Sequence, residues 1–121
     1  MGRIRWQGDV VMATFEQGDI IQVSFDPSLG HEPQKLRPAV VVSTTRSNVV
    51  SSLTFVAPIT SVNNRFPLHV KISSDVDVRG YVCVEQTRSF DLAARPCTSV
   101  GKLNDDDMSA ILERIGAIFG I

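Results

Sequence analysis

Gly18-Asp19-Ile20-Ile21-Gln22-Val23-Ser24-Phe25 and Ala39-Val40-Val41-Val42-Ser43, joined by Asp26-Pro27-Ser28-Leu29-Gly30-His31-Glu32-Pro33-Gln34-Lys35-Leu36-Arg37-Pro38, decide the fold of this chain. Ile21, Val23 and Phe25 alternate with Gln22 and Ser24, the period of a strand with one buried face. Ala39 to Val42 is an unbroken apolar run, suited to a strand buried on both sides. The joining segment is polar. Asp26-Pro27 and Gly30 mark a turn in it, and Pro33 keeps its middle extended and out of a hairpin ladder. It is longer than a connection needs, and long polar loops are often functional. His31, Glu32, Lys35 and Arg37 bring donors, acceptors and both signs of charge together in it.

The rest of the composition bounds what the chain can be. At 121 residues it is one domain, large enough for a single core and small enough that dimerisation would help to bury apolar surface. Hydrophobic residues make up 43% and charged residues 21%, as in ordinary globular proteins. Neither a signal-peptide pattern nor an apolar run of membrane-spanning length occurs, so the expectation is a cytoplasmic protein with no membrane partner. Cys83 and Cys97 have no metal-ligand spacing and are read as reduced and structural. A formal net charge of -1 speaks against a duplex-DNA binder. It leaves RNA open, because Asp105 to Asp107 hold three of the thirteen acids at one helix start and a local basic groove can form elsewhere. Residues 1–16 show weak periodicity and are expected to be an extension, disordered or partly added for expression, ahead of a single domain at 17–121.

Strand chemistry returns at Leu53 to Thr60, where Pro58, lacking an N–H, should bend the strand and present Thr60 and Ser61 at its end. Those hydroxyls can face a ligand or cap the turn Val62 to Arg65. Thr44 to Asn48 reads as a polar turn. Leu68 to Ile72 alternates, which puts His69 and Lys71 on the solvated face, and Tyr81 to Phe90 reads as one long strand or two bent pieces. Thr98 to Val100 is a further short strand. Asn104 is a good N-cap, Asp105 to Asp107 complement the helix dipole, and Met108, Ile111, Leu112, Ile115, Ile118 and Phe119 recur at helical spacing. Consecutive aspartates on a helix point apart, so they are not a metal site. The fold expected is mainly β: about six or seven short antiparallel strands in a small barrel, with a C-terminal amphipathic helix.

Gly18-Asp19-Ile20-Ile21, Phe25-Asp26-Pro27, Gly30-His31-Glu32 and Arg37-Pro38-Ala39-Val40-Val41-Val42, in that order and spacing, resemble the opening of the MazF/PemK family of toxin endoribonucleases. Ala57-Pro58-Ile59-Thr60-Ser61, Gln86-Thr87-Arg88-Ser89-Phe90-Asp91 and Gly101-Lys102-Leu103 fall where that family has its equivalents. The resemblance implies an SH3-like barrel of the MazF/Kid/CcdB kind and a metal-independent, cofactor-free, sequence-specific endoribonuclease that cuts single-stranded mRNA. It also implies a homodimer and a cognate antitoxin with an acidic, disordered tail. Some relatives on the same barrel instead poison DNA gyrase through a C-terminal Trp-Gly-Ile, echoed only partly here by Phe119-Gly120-Ile121.

RNA can be cut without a metal when the ribose 2′-hydroxyl attacks its own phosphate, leaving a 2′,3′-cyclic phosphate and a 5′-hydroxyl. The protein must then supply alignment, proton transfer and positive charge for the phosphorane oxygens. Arg37 suits the charge, since its guanidinium stays ionised and forks onto phosphate oxygens, although an arginine there can also be a simple loop anchor. The resemblance carries the catalytic pair onto Arg37 and Thr60. His31 and Glu32 are the candidates for proton transfer. Lys35, Ser61, Glu85, Gln86 and Arg88 are the candidate substrate contacts. Part of the family has an Arg-x-Asp pair where this chain reads Cys83-Val84-Glu85, which moves weight onto Arg37 and Thr60.

Overall fold

In the computed structural model, which describes residues 3–6, 10–25, 36–95 and 97–121, the chain is mainly antiparallel β. The strands are β1 (Arg3–Trp6), β2 (Val10–Ala13), β3 (Asp19–Ser24), β4 (Leu36–Val41), β5 (Thr54–Thr60), β6 (His69–Lys71), β7 (Tyr81–Cys83), β8 (Arg88–Phe90) and β9 (Cys97–Lys102). Helix α1 spans Thr45–Ser51 and α2 spans Asp105–Phe119. β1 and β2 pair with each other. The other strands form a seven-stranded sheet in the order β6-β7-β5-β4-β3-β9, with β8 also on β5. Among the described residues that path is open, its ends β6 and β9 being unpaired with one another.

The apolar run in β4 explains the architecture. Successive side chains on a strand point to opposite faces, so Ala39 and Val41 enter one core while Val40 and Val42 enter another. The first core adds Ile21, Val23, Val56 and Phe90, and the second adds Ile20, Ala57, Ile59, Val82, Leu103, Met108 and Ile111. Ile20 and Ile21 are both fully buried, so β3 is covered on two faces over its first half and not on one, as its alternation suggests.

Pro58 is tolerated in a central strand because its neighbours divide there. The Val42 N–H donates to the Phe55 carbonyl at 2.9 Å, which sets the hydrogen-bonding phase between β4 and β5. Two-residue alternation from that bond turns the Pro58 nitrogen away from β4. On the other edge β8 pairs with Thr54 to Val56 and β7 with Ile59 and Thr60, and Pro58 lies between those partners.

Two segments depart from their sequence reading. The expected turn at Thr44 to Asn48 begins a helix, α1, capped by Thr44, whose Oγ1 accepts the Ser47 N–H at 3.2 Å. Its buried anchor is Asn48, which donates to the Phe15 carbonyl at 2.9 Å, and a polar anchor leaves no apolar period to read. Helix α2 forms as expected under Asn104, but only part of its apolar stripe packs on the sheet. Met108 and Ile111 are buried, whereas Leu112, Ile118 and Phe119 are exposed beside Phe55, in a groove of about 340 Å³. No described helix is long and apolar enough to cross a membrane.

Candidate functional site

The site is assembled by strand register. Arg37 on β4 lies opposite Val23, and β4 pairs with β5 as Ala39 with Pro58, Val40 with Ala57 and Val41 with Val56. Pro38 has no N–H to offer β5, and the ladder ends there. Two residues past the last pair, alternation keeps Arg37 and Thr60 on the same face, at the neighbouring ends of β4 and β5. Thr60 pairs in turn with Tyr81, and Tyr81 with Lys71. Arg37, Thr60, Tyr81 and Lys71 therefore form one row across one face of the sheet. Gly80 permits the close approach of the β7 start to β5: its φ is +134°, and a Cβ there would lie 2.3 Å from the Thr60 carbonyl oxygen.

Arg37 is exposed, with its guanidinium 5.8 Å from the centre of the Phe25 ring, and it makes no ion pair with the described residues. Arg88 stands over the same ring at 5.8 Å and over Phe90 at 5.0 Å. Arg95 lies 4.1 Å over Phe90 and donates from Nη1 to the Ser24 carbonyl at 2.8 Å. Phe25 and Phe90 meet edge to face at 5.2 Å. Three guanidiniums gather around the partly accessible Phe25 and the buried Phe90, which sets positive charge beside one aromatic ring, a combination suited to unpaired nucleic acid. The Thr60 Oγ1 accepts the Val62 N–H at 3.2 Å, so it does cap the following turn. That bond uses a lone pair and leaves the hydroxyl hydrogen for another acceptor.

The remaining expected residues divide. His31, Glu32 and Lys35 lie outside the described residues. Ser61 sits with Lys71, Arg79 and Tyr81 around a hollow of about 370 Å³ just past Thr60. Arg88 is at the aromatic cluster, while Glu85 and Gln86 are on the 3₁₀ turn Val84–Gln86 between β7 and β8. His69, expected in solvent, is instead enclosed. Its side chain is 6% exposed, and its Nε2 is 3.0 Å from Oε2 of Glu85. The missed signal is that residues 69, 71, 81 and 83 share one face by two-residue period, so His69 lies opposite Cys83 and not in open water. Burial first, and the Glu85 carboxylate second, push the Cys83 thiol pKa up, while Arg37 pulls it down. Cys83 thus lies in the field of both charges. Among the described residues no group of three His, Cys, Asp or Glu side chains could hold a metal ion.

Residues 16–119 match the family model described as PemK-like, MazF-like toxin of type II toxin-antitoxin system. The chain belongs to this toxin family. Its relatives include the Endoribonuclease toxin ChpB of Escherichia coli (strain K12), 39% identical over 117 residues, which span 90% of this chain and 97% of that one. The fold agrees with the crystal structure of MazF from Deinococcus radiodurans at a TM-score of 0.78, with 26% identity over 91% of this chain and 100% of that one. A MazE-MazF structure from the same organism matches at 0.77, with 23% identity over 91% and 99% of the two chains. Within this PemK/MazF-like family, the sheet face carrying Arg37 and Thr60 is the candidate site.

Proposed function

We propose that this toxin is a metal-independent endoribonuclease that cleaves single-stranded mRNA at preferred sequences, by 2′-hydroxyl attack. The observation that carries the reading is the placement of Arg37 and Thr60 on one row, beside a basic aromatic surface, in a chain 39% identical to an endoribonuclease toxin. Unpaired bases stack on Phe25 while Arg88 and Arg95 hold the backbone, with the buried Phe90 supporting Phe25 from beneath. The scissile phosphate then lies against Arg37. As the 2′-oxygen bonds to phosphorus and the 5′-oxygen departs, the guanidinium neutralises the extra charge on the non-bridging oxygens. Thr60 donates its hydroxyl hydrogen to one of them and so orients the phosphate. DNA, lacking the 2′-hydroxyl, is not a substrate.

Lys35, Ser61, Glu85, Gln86 and Arg88 contact the flanking nucleotides, and His31 and Glu32 are the candidates for proton transfer. The core on each face of the seven-stranded sheet and the likeness to a MazF structure are the support for an SH3-like arrangement of the strands. The exposed apolar groove along Leu112, Ile118 and Phe119 supports a homodimer, which would act in the cytoplasm, where its mRNA substrate lies. A cognate antitoxin with an acidic tail would lie along the arginines and block RNA. None of the observations favours the gyrase-directed alternative.

The test is incubation of purified protein with mixed-sequence RNA in EDTA, followed by mapping of the ends. Cyclic phosphate and 5′-hydroxyl ends that vanish in Arg37→Ala support the reading. No cleavage across many sequences, or wild-type cleavage by Arg37→Ala, overturns it.

A further inference from the structure

The hollow of about 370 Å³ past Thr60 is walled by Lys71 and Arg79 and by the hydroxyl-bearing Ser61, Ser74 and Tyr81, with no carboxylate in its lining. Lys71 and Arg79 are exposed, and neither forms an ion pair with the described residues. Asp75 and Asp77 belong to the same connection between β6 and β7 but stay outside the hollow. The Ser74 hydroxyl is committed, since it donates to Asp107 at 2.6 Å and accepts the Asn104 N–H at 2.8 Å. Those of Ser61 and Tyr81 are left for a ligand. Two unpaired cations in a concave surface focus their field on whatever enters it, and that field selects an anion.

We propose that this hollow seats a backbone phosphate of the RNA other than the one being cut, with Lys71 and Arg79 as its cations and the Ser61 and Tyr81 hydroxyls as further donors. The proposal rests on the endoribonuclease reading of Arg37 and Thr60 and deepens it, by fixing how the strand lies. Tyr81 joins the two places, because it pairs with Thr60 on one side and with Lys71 on the other. Neither Arg37 nor Thr60 lines the hollow. Lys71 stands two ladder steps from Thr60, roughly 10 Å along the sheet, so the seated phosphate and the scissile one are different groups. Phe25, which follows β3, and Arg88 over its ring stand at the other end of the row, beyond Arg37. A single strand laid across β3, β4, β5, β7 and β6 is therefore gripped on both sides of the cut. Two grips hold the scissile phosphate against Arg37 between them, and a contact to charge alone adds affinity without reading a base.

The experiment measures binding of a short RNA carrying the mapped cut site, made uncleavable by one 2′-deoxyribose there. The proteins are wild type, Lys71→Gln, Arg79→Gln, the double variant and, as an exposed cation outside the row, Arg46→Gln, each checked by thermal melting. The double variant is expected to bind about 5- to 10-fold more weakly, with a salt slope shallower by about 0.7 and kcat on the cleavable strand nearly unchanged. Arg46→Gln is expected to bind like wild type. A scan that makes one linkage at a time a neutral methylphosphonate, beside a 2′-deoxyribose, then locates the phosphate. One linkage away from the cut should cost wild type about 5- to 10-fold and the double variant little, because the two changes remove the same contact. Wild-type affinity in the double variant, a loss confined to kcat, or a scan that is the same for both proteins at every linkage overturns the proposal and leaves Arg37 and Thr60 in place. If wild type cleaves no RNA, the endoribonuclease reading fails instead, and the same variants on a mixed-sequence single strand, read by binding alone, judge the seat.

Discussion

The Asp107 carboxylate accepts both the backbone N–H of Ser73 at 2.9 Å and its hydroxyl at 2.6 Å, and it accepts the same two groups from Ser74 at 2.9 and 2.6 Å. One side chain from the first turn of α2 thereby ties down the loop that follows β6. Burial alone would raise its pKa, but the four donors outweigh it and hold the carboxyl below its usual range. A depressed folded-state pKa means the stabilisation is fully present above the unfolded value, near 3.9, and is lost as pH falls through the folded one. Asp107→Ala should cost about 2–4 kcal/mol at neutral pH. Acid melts should show the difference from wild type shrinking below about pH 4.

Gly80 is a second structural lever, and it acts on the site. A methyl group at φ +134° and 2.3 Å from the Thr60 carbonyl must push β7 off β5. Gly80→Ala is expected to destabilise by about 2–4 kcal/mol and to lower RNA cleavage further than the loss of folded protein explains. Equal losses of cleavage and of folded fraction would contradict the link.

Arg37 and its neighbour on Phe25 separate charge from geometry. Arg37→Lys keeps the charge but loses the planar fork, so it should still lose about 10-fold or more in kcat, and Arg37→Ala about 100- to 1,000-fold. Near-full activity of the lysine variant would show that a point charge suffices.

Thr60→Val preserves shape and removes the hydroxyl. The Val62 N–H it capped is at an exposed turn, so stability should change by about 1 kcal/mol or less while kcat falls about 10-fold. Thr60→Ser should keep most of the activity. Rate assays beside a thermal melt would distinguish the two roles.

Arg88, unlike Arg37, is assigned to binding. Arg88→Ala should raise KM with kcat nearly unchanged, and the slope of log affinity against log salt should become shallower by about 0.7 for single-stranded RNA. An unchanged salt slope would place Arg88 away from the phosphates.

Much of the frame was legible because its signals are local. The strand at Ile21 to Phe25, the run Ala39 to Val42 and the Asn104 cap each depend on a few neighbours, and strands β3 and β4 and helix α2 lie there. Helix α1 was illegible because its anchor is a polar residue reaching a carbonyl 33 positions away in the chain. His69 was misplaced for a related reason. Alternation assigns a residue to a face, but only the partners of that face decide whether it is wet.

The amino-acid sequence alone determined the strand chemistry, the C-terminal helix, the family and the presence of Arg37 and Thr60 at strand ends, because periodicity, caps and motif order are properties of adjacent residues. Only the tertiary structure decided that Arg37 and Thr60 share a row, that three arginines gather on Phe25 and Phe90, and that His69 is enclosed against Glu85. Those relations depend on the register between strands far apart in the chain, and a slip of one residue would send every one of these side chains to the opposite face.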